Sequence, residues 1–553
     1  MAENKLVFDK TLSFDCGCSF PYCETPDGKR HVDLSLRWED LRMDCPATFK
    51  VLESGRSKGC FQIESNLGQQ TCKDAPINNI DDIGYVITIM RPGSTESFLD
   101  DGKNTTYHYL ARKAGREPVT YLHPSLEPHL KETYGLMLTQ EQMMFIVKDL
   151  AGFTGEQADT ARKGIAKKKA DIVAKVKVDF LDGCKKINKV SEEEANKIWS
   201  WIEAGQRYSF NLSHAVQYAY ITYFTAYAKA HFESPFFTAW LEMSGDKNKS
   251  KQKEIRELIR DAKKSNIEIQ TPSFIYPESS FSTLNDVIRY GICDIKGVGE
   301  SSYKEVHEVR QKLIQQLGDI RTWSYLDHQF LLFPELKSQL KEGLIKVGGF
   351  SYINRNRLET WYEASIVDQL TDALYKLCVE HYKKCTSVLT TLEYVFSNCK
   401  LTKPQSKKLE TLIKSLKEPP YSLQDTIRSV SDDERYFLGI AITCNSVEEC
   451  DISAASHTVK DIYMLTPGFE KFFTVGVEID EVKEYTIKNG PNKGQKMGIL
   501  VVSDNTCTVD GIAVFGKTWS ENKSILVEGN TVMIGGKITQ YKKSMVVEKV
   551  WQL

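Results

Sequence analysis

The stretch FFTVGVEIDEVKEYTIKNGPNKGQKMGILVV, residues 472–502, decides the fold of the C-terminal part of this 553-residue chain. It contains short runs rich in β-branched residues, separated by a turn with Asn, Gly and Pro, which is the pattern of consecutive β-strands. The predicted strands are 472–477, 482–487, 498–502, 511–515, 531–538 and 544–547. Short strands at this density suit a small closed barrel and a small β-sandwich alike.

The residues before this barrel are mainly helical. Ile255, Leu258, Ile259 and Ala262 fall on one face, so this segment is predicted to be an amphipathic helix packed on a core. The fold class is therefore a multidomain protein, mainly α-helical, that ends in a β-barrel. Among small barrels, the oligonucleotide-binding fold (OB-fold) is the most common one that binds nucleic acid.

Composition excludes several classes of protein. The chain has 72 Lys and Arg against 74 Asp and Glu, a net charge of −2, so its overall charge does not indicate nucleic-acid binding. No apolar run is long enough for a membrane span, and a hydrophobic content of 41% excludes a disordered chain. The N-terminus has no signal-peptide pattern, so an intracellular protein with its 14 cysteines as free thiols is expected.

The strongest local charge lies between residues 160 and 190, where ten basic and three acidic residues give a net charge of +7. Phosphate groups are natural ligands of such a segment, because Lys and Arg make charge-assisted hydrogen bonds to them. A solvated helix face is the alternative, and few Glu partners lie at helical spacing to support it. The basic residues are Arg162, Lys163, Lys167, Lys168, Lys169, Lys175, Lys177, Lys185, Lys186 and Lys189.

A second candidate site lies at the start of a predicted helix in YSFNLSHAVQYAY, residues 208–220. Asn211 or Ser213 can cap this helix, and the N–H groups of its first turn can then face an anion. His214 in the same turn can donate to a phosphate. The alternative is a structural cap without a role in binding.

Two glycine-containing turns suit helix-hairpin-helix units. In the segment YGICDIKGVGE, residues 290–300, the glycines let the backbone turn tightly and bring its N–H groups close to a phosphate without base contacts. The segment LIKVGGF, residues 344–350, is a weaker match. An ordinary turn between helices is the alternative in both places.

The segment near the N-terminus contains the residue types that bind zinc, but their spacing is not that of a structural zinc site. Cys16, Cys18 and Cys23, followed by His31, lack the paired C-x2-C pattern of a structural site, so free thiols are predicted and no metal ligand is assigned. The chain also has no P-loop, Rossmann glycine pattern, nucleophile elbow or His-Glu-x-x-His motif. The common enzyme signatures are therefore absent.

Several longer motifs occur in a fixed order along the chain. They are GCFQIES (59–65), Arg91-Pro92-Gly93, YHYLARKAGREPVTYLHPSLEPHLKETYG (107–135), TQEQMM (139–144), LAGFTGEQADTARKGIAKKK (150–169), and the segments 208–220 and 290–300 quoted above. With these motifs the chain resembles, from about residue 32 to its end, the C family of bacterial replicative DNA polymerases, the alpha subunits of DNA polymerase III.

The resemblance implies four regions with separate tasks. Residues 1–58 are implied to be a palm remnant or connector with a Cys-rich start, and residues 59–245 the nucleotide-binding fingers. Residues 246–430 are implied to be a helical linker with the duplex-binding hairpins, and residues 431–553 an OB-fold that binds single-stranded template.

The resemblance also implies roles for individual residues. Those implied to bind the incoming nucleotide are Arg162, Lys163, Lys167, Lys168, Asn211, Ser213 and His214. Those implied to bind DNA are Arg112, Lys113, Lys296, Gly297 and Gly299. Leu212 stands where the family usually has Lys, so one expected cation is missing.

The metal-binding carboxylates of the family lie mostly upstream of the motif at 59–65. They include an Asp-x-Asp pair in the palm, and the 58 residues before the motif are too few to hold that palm and the phosphoesterase-like domain. Catalysis by two metal ions needs clustered carboxylates, so the chain is not expected to provide it alone. Asp9 has the position of a third palm carboxylate, with Asp15 or Asp33 as alternatives.

The resemblance thus implies a DNA-directed DNA polymerase subunit that binds dNTP and primer-template DNA and shares Mg²⁺ with a separate palm-bearing chain. A non-catalytic DNA-binding protein and a piece of a longer polymerase are the alternatives. A split polymerase suggests a phage origin, with a cytoplasmic location in the bacterial host. Binding to a sliding clamp stays open, because Gln424-Asp425-Thr426-Ile427 lacks the apolar ending that fills a clamp pocket.

Overall fold

The computed structural model describes residues 9–24, 30–34, 39–99, 101–166, 170–206, 210–244, 251–465, 471–487, 492–538 and 545–553. The chain forms two compact units, Met1–Phe237 and Thr238–Leu553. The boundary predicted between residues 245 and 246 lies outside the described residues, and the division into four regions stays a prediction. Across the described ranges, every helix is too short or too polar to cross a bilayer.

Unit 1 combines a small sheet with many helices. Strands β1 (Lys10–Ser13), β2 (Ser19–Glu24) and β3 (Arg30–Val32) form an antiparallel sheet in that order. The helices are α1 (Pro46–Glu53), α2 (Asn66–Asp74), α3 (Ile80–Ile89), α4 (Pro92–Thr95), α5 (Thr105–Lys113), α6 (Glu127–Leu130), α7 (Gln140–Ala151), α8 (Gly155–Ala166), α9 (Ala170–Ile187), α10 (Glu192–Gln206) and α11 (Leu212–His231). Helix α12 (Glu233–Met243) contains the boundary between the units.

Unit 1 has two main groups of buried side chains. One lies among α7 to α10, where Val176, Phe180 and Cys184 recur at intervals of four residues and form the buried stripe of α9. The other joins α1, α3 and α11. Gly84 of α3 faces Ala219 of α11, and a Cβ at Gly84 would meet the Cβ of Ala219 at an ordinary contact distance of 3.8 Å. Helix α11 therefore packs one of its faces against the core of this unit.

Unit 2 starts with helices and a short sheet and ends in the barrel. Its helices are α13 (Lys251–Lys264), α14 (Glu300–Leu317), α15 (Tyr325–Asp327), α16 (Ser338–Lys346), α17 (Arg357–Val367), α18 (Asp372–His381), α19 (Val388–Asn398), α20 (Lys403–Lys417), α21 (Ile427–Leu438), α22 (Val459–Met464) and α23 (Gly516–Asn522). The short sheet has the order β4 (Ile269–Gln270), β6 (Val287–Arg289), β5 (Ser282–Leu284). The amphipathic helix predicted around residues 255–262 is confirmed as α13, whose four predicted apolar residues are buried.

The C-terminal barrel confirms the predicted fold class. Its strands are β7 (Phe473–Thr486), β8 (Lys496–Ser503), β9 (Thr508–Phe515), β10 (Thr531–Ile538) and β11 (Met545–Gln552). They form a closed barrel in the order β10-β11-β9-β8-β7, in which β7 also pairs with β10 and β9 runs parallel to β11. A closed, five-stranded barrel of this kind is an OB-fold, and the β-sandwich alternative is wrong.

The prediction of two separate strands at 472–477 and 482–487 is also wrong. Both belong to the single strand β7, whose register with β8 shifts between Ile479 and Glu481. A bulge at this point bends the strand without ending it, so the polar residues that look like a turn in the sequence lie within a continuous strand.

Trp519 closes one end of the barrel. It lies on α23, between β9 and β10, and its indole N–H donates to the Glu484 carboxylate at 3.2 Å. A Cβ at Gly498 would lie 2.3 Å from the Trp519 ring, so the indole packs directly on the backbone of β8. Glycine is therefore required at residue 498 for this packing.

The substitution Gly498→Ala is expected to lower the free energy of unfolding by about 1–3 kcal/mol, because the methyl group overpacks the contact with Trp519. Urea denaturation of the full chain, followed by circular dichroism, measures the change. Gly155→Ala is the control, because a Cβ there meets no atom within 4 Å. Equal unfolding free energies for the two variants would contradict this account of the barrel end.

Candidate functional site

Two helix N-termini lie side by side in unit 1. Thr139 and Phe210 form a parallel β-bridge, in which the Phe210 N–H donates to the Leu138 carbonyl at 3.1 Å and the Phe210 carbonyl accepts from the Gln140 N–H at 3.0 Å. Because α7 and α11 begin directly after these residues, the bridge aligns their first turns. The surface formed by Gln140, Glu141, Arg162, Asn211 and His214 is called the α7–α11 site below.

Local sequence explains where both helices begin. Thr139 and Gln142 form a capping box at the start of α7. Asn211 caps α11, since its side-chain oxygen accepts from the His214 N–H at 2.9 Å. Of the two caps considered from the sequence, Asn211 is confirmed, and Ser213 lies exposed in the first turn.

The Glu141 carboxylate connects the two helices. One oxygen accepts from the Asn211 side-chain amide at 2.9 Å, and the other accepts from the Leu212 backbone N–H at 2.9 Å. A carboxylate at a helix N-terminus is stabilised by the helix dipole. The protein's own carboxylate therefore already binds one N–H of the turn in which the sequence predicts a phosphate.

Arg162 on α8 reaches the same site from the other side. Its Nη1 donates to Gln140 Oε1 at 2.9 Å, and its Nη2 lies 2.7 Å from Asp159. Lys163 lies 2.6 Å from the other oxygen of Asp159. Hydrogen bonds from Lys163 and Arg162 hold the pKa of the Asp159 carboxyl below its usual range. Both predicted cations are therefore paired with one acidic residue that lies three and four positions before them.

Aromatic rings hold the remaining side chains of the site. The His214 ring lies 3.9 Å from the ring of Tyr218 and 5.3 Å from that of Phe210. The Arg91 guanidinium lies over the ring of Phe210, 4.5 Å from the ring centroid. His214 is thus positioned by an edge-to-face contact with Phe210 and a tilted contact with Tyr218.

The rest of the basic segment is spread along α8 and α9. Lys167 and Lys168, predicted to bind nucleotide, lie outside the described residues, as does Lys169. Lys189 pairs with Asp149 at 2.6 Å. Lys185 and Lys186 are exposed in the last turn of α9.

Arg112 and Lys113, predicted to bind DNA, are buried and paired inside unit 1. The Arg112 guanidinium donates to Glu117 at 2.8 Å and to the Tyr134 carbonyl at 2.9 Å, and 7% of its side chain is exposed. The Lys113 ammonium pairs with Asp82, and 5% of its side chain is exposed. Neither group lies at the surface in this arrangement, and both join α5 to its neighbours.

The first hairpin of unit 2 has the tight glycine turn that the sequence predicts, but the element before this turn is the three-residue 3-10 helix Ile292–Asp294. Gly297 has φ of +81°, which favours glycine, and a Cβ there would lie 1.9 Å from Gln339. Gly299 caps α14 without a side-chain hydrogen bond. Lys296 is exposed with its ammonium 3.9 Å from the centroid of the Tyr436 ring. The turn therefore presents a cation and a helix N-terminus at the surface.

Two weaker predictions fall on residues with internal partners. In the second hairpin, Lys346 lies 3.3 Å from both Glu342 and Asp433. In the segment 424–427, the carboxylate of Asp425 accepts backbone N–H groups from residues 357 and 358, and Thr426 caps α21. This segment is a junction between α17 and α21.

One outer face of the barrel presents aromatic side chains. Tyr485, Met497 and Phe515 are register partners across β7, β8 and β9, so they share one face. Tyr485 is 47% and Phe515 37% exposed. Lys483 lies two residues before Tyr485 on this face. This row is called the barrel face below.

Among the described residues, Asp9 is exposed at the start of β1 and does not belong to a group of three or more closely spaced ligands. The described part of the chain therefore offers no carboxylate cluster that fits a pair of Mg²⁺ ions.

Sequence reasoning missed Glu141, Gln140 and Asp159. Glu141 and Gln140 lie within the motif at 139–144, but their partners are 70 and 22 residues away. Asp159 had a detectable signal, because its spacing to Arg162 and Lys163 is that of helical ion pairs.

Comparison with known proteins agrees with this architecture. The protein-family model described as the bacterial DNA polymerase III alpha subunit finger domain matches residues 27–188 of this chain. The chain is similar to the DNA polymerase III subunit alpha of Aquifex aeolicus, with 37% identity over 332 residues, which is 60% of this chain and 27% of that protein.

Two further relatives match almost the whole chain. The DNA polymerase III subunit alpha of Thermus aquaticus is 26% identical over 95% of this chain and 40% of its own length. That of Staphylococcus aureus is 26% identical over 95% of this chain and 44% of its own length. The chain thus spans less than half the length of these curated relatives. With its finger-domain match, its C-terminal OB-fold and these relatives, the chain is similar over most of its length to the C family of bacterial DNA polymerases, the family of DNA polymerase III alpha subunits.

Proposed function

We propose that this chain is a DNA-directed DNA polymerase subunit that binds the incoming dNTP at the α7–α11 site and holds primer-template DNA with its first hairpin and its barrel face. The observation that carries the proposal is the convergence at the α7–α11 site of Arg162 and Asn211, which lie 49 residues apart in the sequence. Cations and helix N-termini both favour the binding of phosphate groups.

The ion pairs of the site are compatible with exchange for a triphosphate. Asp159 is about one-third exposed, and exposed pairs of this kind contribute only about 0–1 kcal/mol. A triphosphate has more negative charge than one carboxylate and makes several charge-assisted hydrogen bonds. Arg162 and Lys163 therefore turn from Asp159 to the nucleotide, while Glu141 keeps α11 in place.

Two surfaces of unit 2 suit DNA. The hairpin at 295–299 offers the N-terminus of α14 and the Lys296 ammonium to a phosphate backbone, which gives binding without sequence preference. The barrel face offers Tyr485 and Phe515 for stacking on unpaired bases, with Lys483 for the backbone.

The carboxylates for the two-metal reaction come, in this proposal, from a separate palm-bearing chain. Support for this part is that Asp9 is not clustered with other acidic groups among the described residues. Mg²⁺ is then held by the palm-bearing chain, with Asp9 as the third carboxylate.

Replacing Arg162 and Lys163 together by Ala is expected to weaken dNTP binding about tenfold or more, because charge-assisted hydrogen bonds contribute about 1.5–3 kcal/mol each. Fluorescence anisotropy with a labelled dNTP in the presence of primer-template DNA and Mg²⁺ measures this. Binding of the DNA itself is expected to stay unchanged.

The double variant Lys185→Ala with Lys186→Ala is the matched control, since it removes the same charge from the exposed last turn of α9. If both double variants weakened DNA binding equally and left dNTP binding unchanged, the segment would be a simple basic groove.

Primer extension is expected only when this chain is combined with the palm-bearing chain. The measurement compares this chain, the palm-bearing chain and both together on one primer-template. Robust synthesis by this chain alone would refute the need for a partner. Salt-sensitive DNA binding with no nucleotide dependence in any mixture would instead indicate a non-catalytic DNA-binding protein.

Replacing Tyr485 and Phe515 by Ala is expected to weaken binding of single-stranded oligonucleotides fivefold or more, because each stacked base contributes about 1–3 kcal/mol. Duplex binding is expected to change little. Phe396→Ala on α19 is the control, since Phe396 is 42% exposed but lies away from the barrel strands. An unchanged affinity in the double variant would exclude the barrel face as the single-strand site.

A further inference from the structure

Three thiols and one imidazole meet in the interior of unit 1. Cys16 Sγ lies 3.3 Å from His231 Nε2, Cys45 Sγ lies 3.8 Å from the same nitrogen, and Cys18 Sγ lies 3.7 Å from Cys45 Sγ. All four atoms lie within 4.8 Å of one another. Among the described residues, this is the one group of three or more potential metal ligands with such spacing.

These separations are those of ligands around one tetrahedral zinc ion. Zn–S bonds of about 2.3 Å and Zn–N bonds of about 2.0–2.1 Å at tetrahedral angles give S–S separations of about 3.8 Å and S–N separations of about 3.6 Å. A disulfide between Cys18 and Cys45 would need a separation of about 2.05 Å, which is much shorter than the distance found.

Separate elements deliver the four ligands. Cys16 and Cys18 lie in the turn between β1 and β2, where Gly17 has φ of +84° and lets the two cysteines face the same centre. Cys45 is the N-cap residue of α1, and His231 is the last residue of α11. Along the sequence, ligands from different elements are at least 27 residues apart, which is the separation of Cys18 and Cys45.

The surroundings of His231 also suit a metal ligand. Its Nδ1–H donates to the Tyr227 carbonyl at 2.8 Å, which leaves Nε2 as the unprotonated nitrogen that faces the thiols. The rings of Phe14, Phe20 and Tyr227 lie within 5.3 Å of the imidazole ring. Three of the four ligands are buried, so water has little access.

We propose that Cys16, Cys18, Cys45 and His231 bind one Zn²⁺ ion as a structural site. The donor set favours zinc, because three thiolates and an imidazole in tetrahedral arrangement suit this ion, and four protein ligands leave no position for substrate. The three thiols lose their protons to solvent when the ion binds, and no redox step occurs.

The site holds together the elements that position the α7–α11 site. Helix α11 has 20 residues and therefore spans about 30 Å, with His231 at one end and Asn211, its N-cap, at the other. Zinc at the C-terminal end joins α11 to the β1–β2 turn and to α1. Its loss is expected to destabilise unit 1 while leaving the barrel of unit 2 folded.

The test uses the full chain, purified under reducing conditions without chelators and analysed by inductively coupled plasma mass spectrometry. One zinc per chain is expected, and Cys45→Ser and His231→Ala are each expected to lower this to well below half. Cys23→Ser and His31→Ala are the matched controls, because these residues pair across β2 and β3 but are not members of the group. Both controls are expected to retain one zinc.

Cobalt substitution gives a measurement on the wild-type chain, so its result does not depend on whether the variants fold. Wild-type chain loaded with Co²⁺ is expected to show intense d–d absorption typical of tetrahedral cobalt and a thiolate-to-cobalt charge-transfer band. Full retention of zinc in both Cys45→Ser and His231→Ala would overturn the proposal. So would a wild-type chain that binds neither stoichiometric zinc nor tetrahedral cobalt after refolding with excess metal.

Discussion

The Glu141 carboxylate makes the interaction on which the candidate nucleotide site depends. It accepts hydrogen bonds from the Asn211 amide and the Leu212 backbone, and so connects the first turns of α7 and α11. The neighbouring Gln140 receives Arg162 from α8. Two adjacent residues therefore hold three helices in register, and the positive ends of two of these helices face the same region.

Helix α11 is central to unit 1 for a second reason. Its middle packs on α3, with Ala219 facing Gly84. Its last residue, His231, lies among Cys16, Cys18 and Cys45. One continuous helix therefore joins the α7–α11 site at Asn211 to the cluster of thiols around His231.

Electrostatics in this protein are local. The net charge of −2 hides a basic segment of +7, and the acidic residues that offset it lie partly within the segment's own surroundings. Asp159 pairs with Arg162 and Lys163, and Asp149 pairs with Lys189. The same holds for Arg112 and Lys113, whose partners Glu117 and Asp82 are found only in the folded chain. Charge in the sequence thus indicates where phosphate can bind, but the partners decide which cations face solvent.

The sequence by itself determined the features that depend on neighbours along the chain: most strands of the barrel from their β-branched runs and turns, α13 from its apolar stripe, and a cap of α11 at Asn211 or Ser213. These are set by backbone geometry over a few residues. Only the tertiary structure decided that Glu141 meets Asn211, that Arg112 is buried, and that Cys45 and His231, not Cys23 and His31, join Cys16 and Cys18. Those contacts join residues up to 215 positions apart, and no local pattern encodes such a pairing because it arises from how separate helices pack.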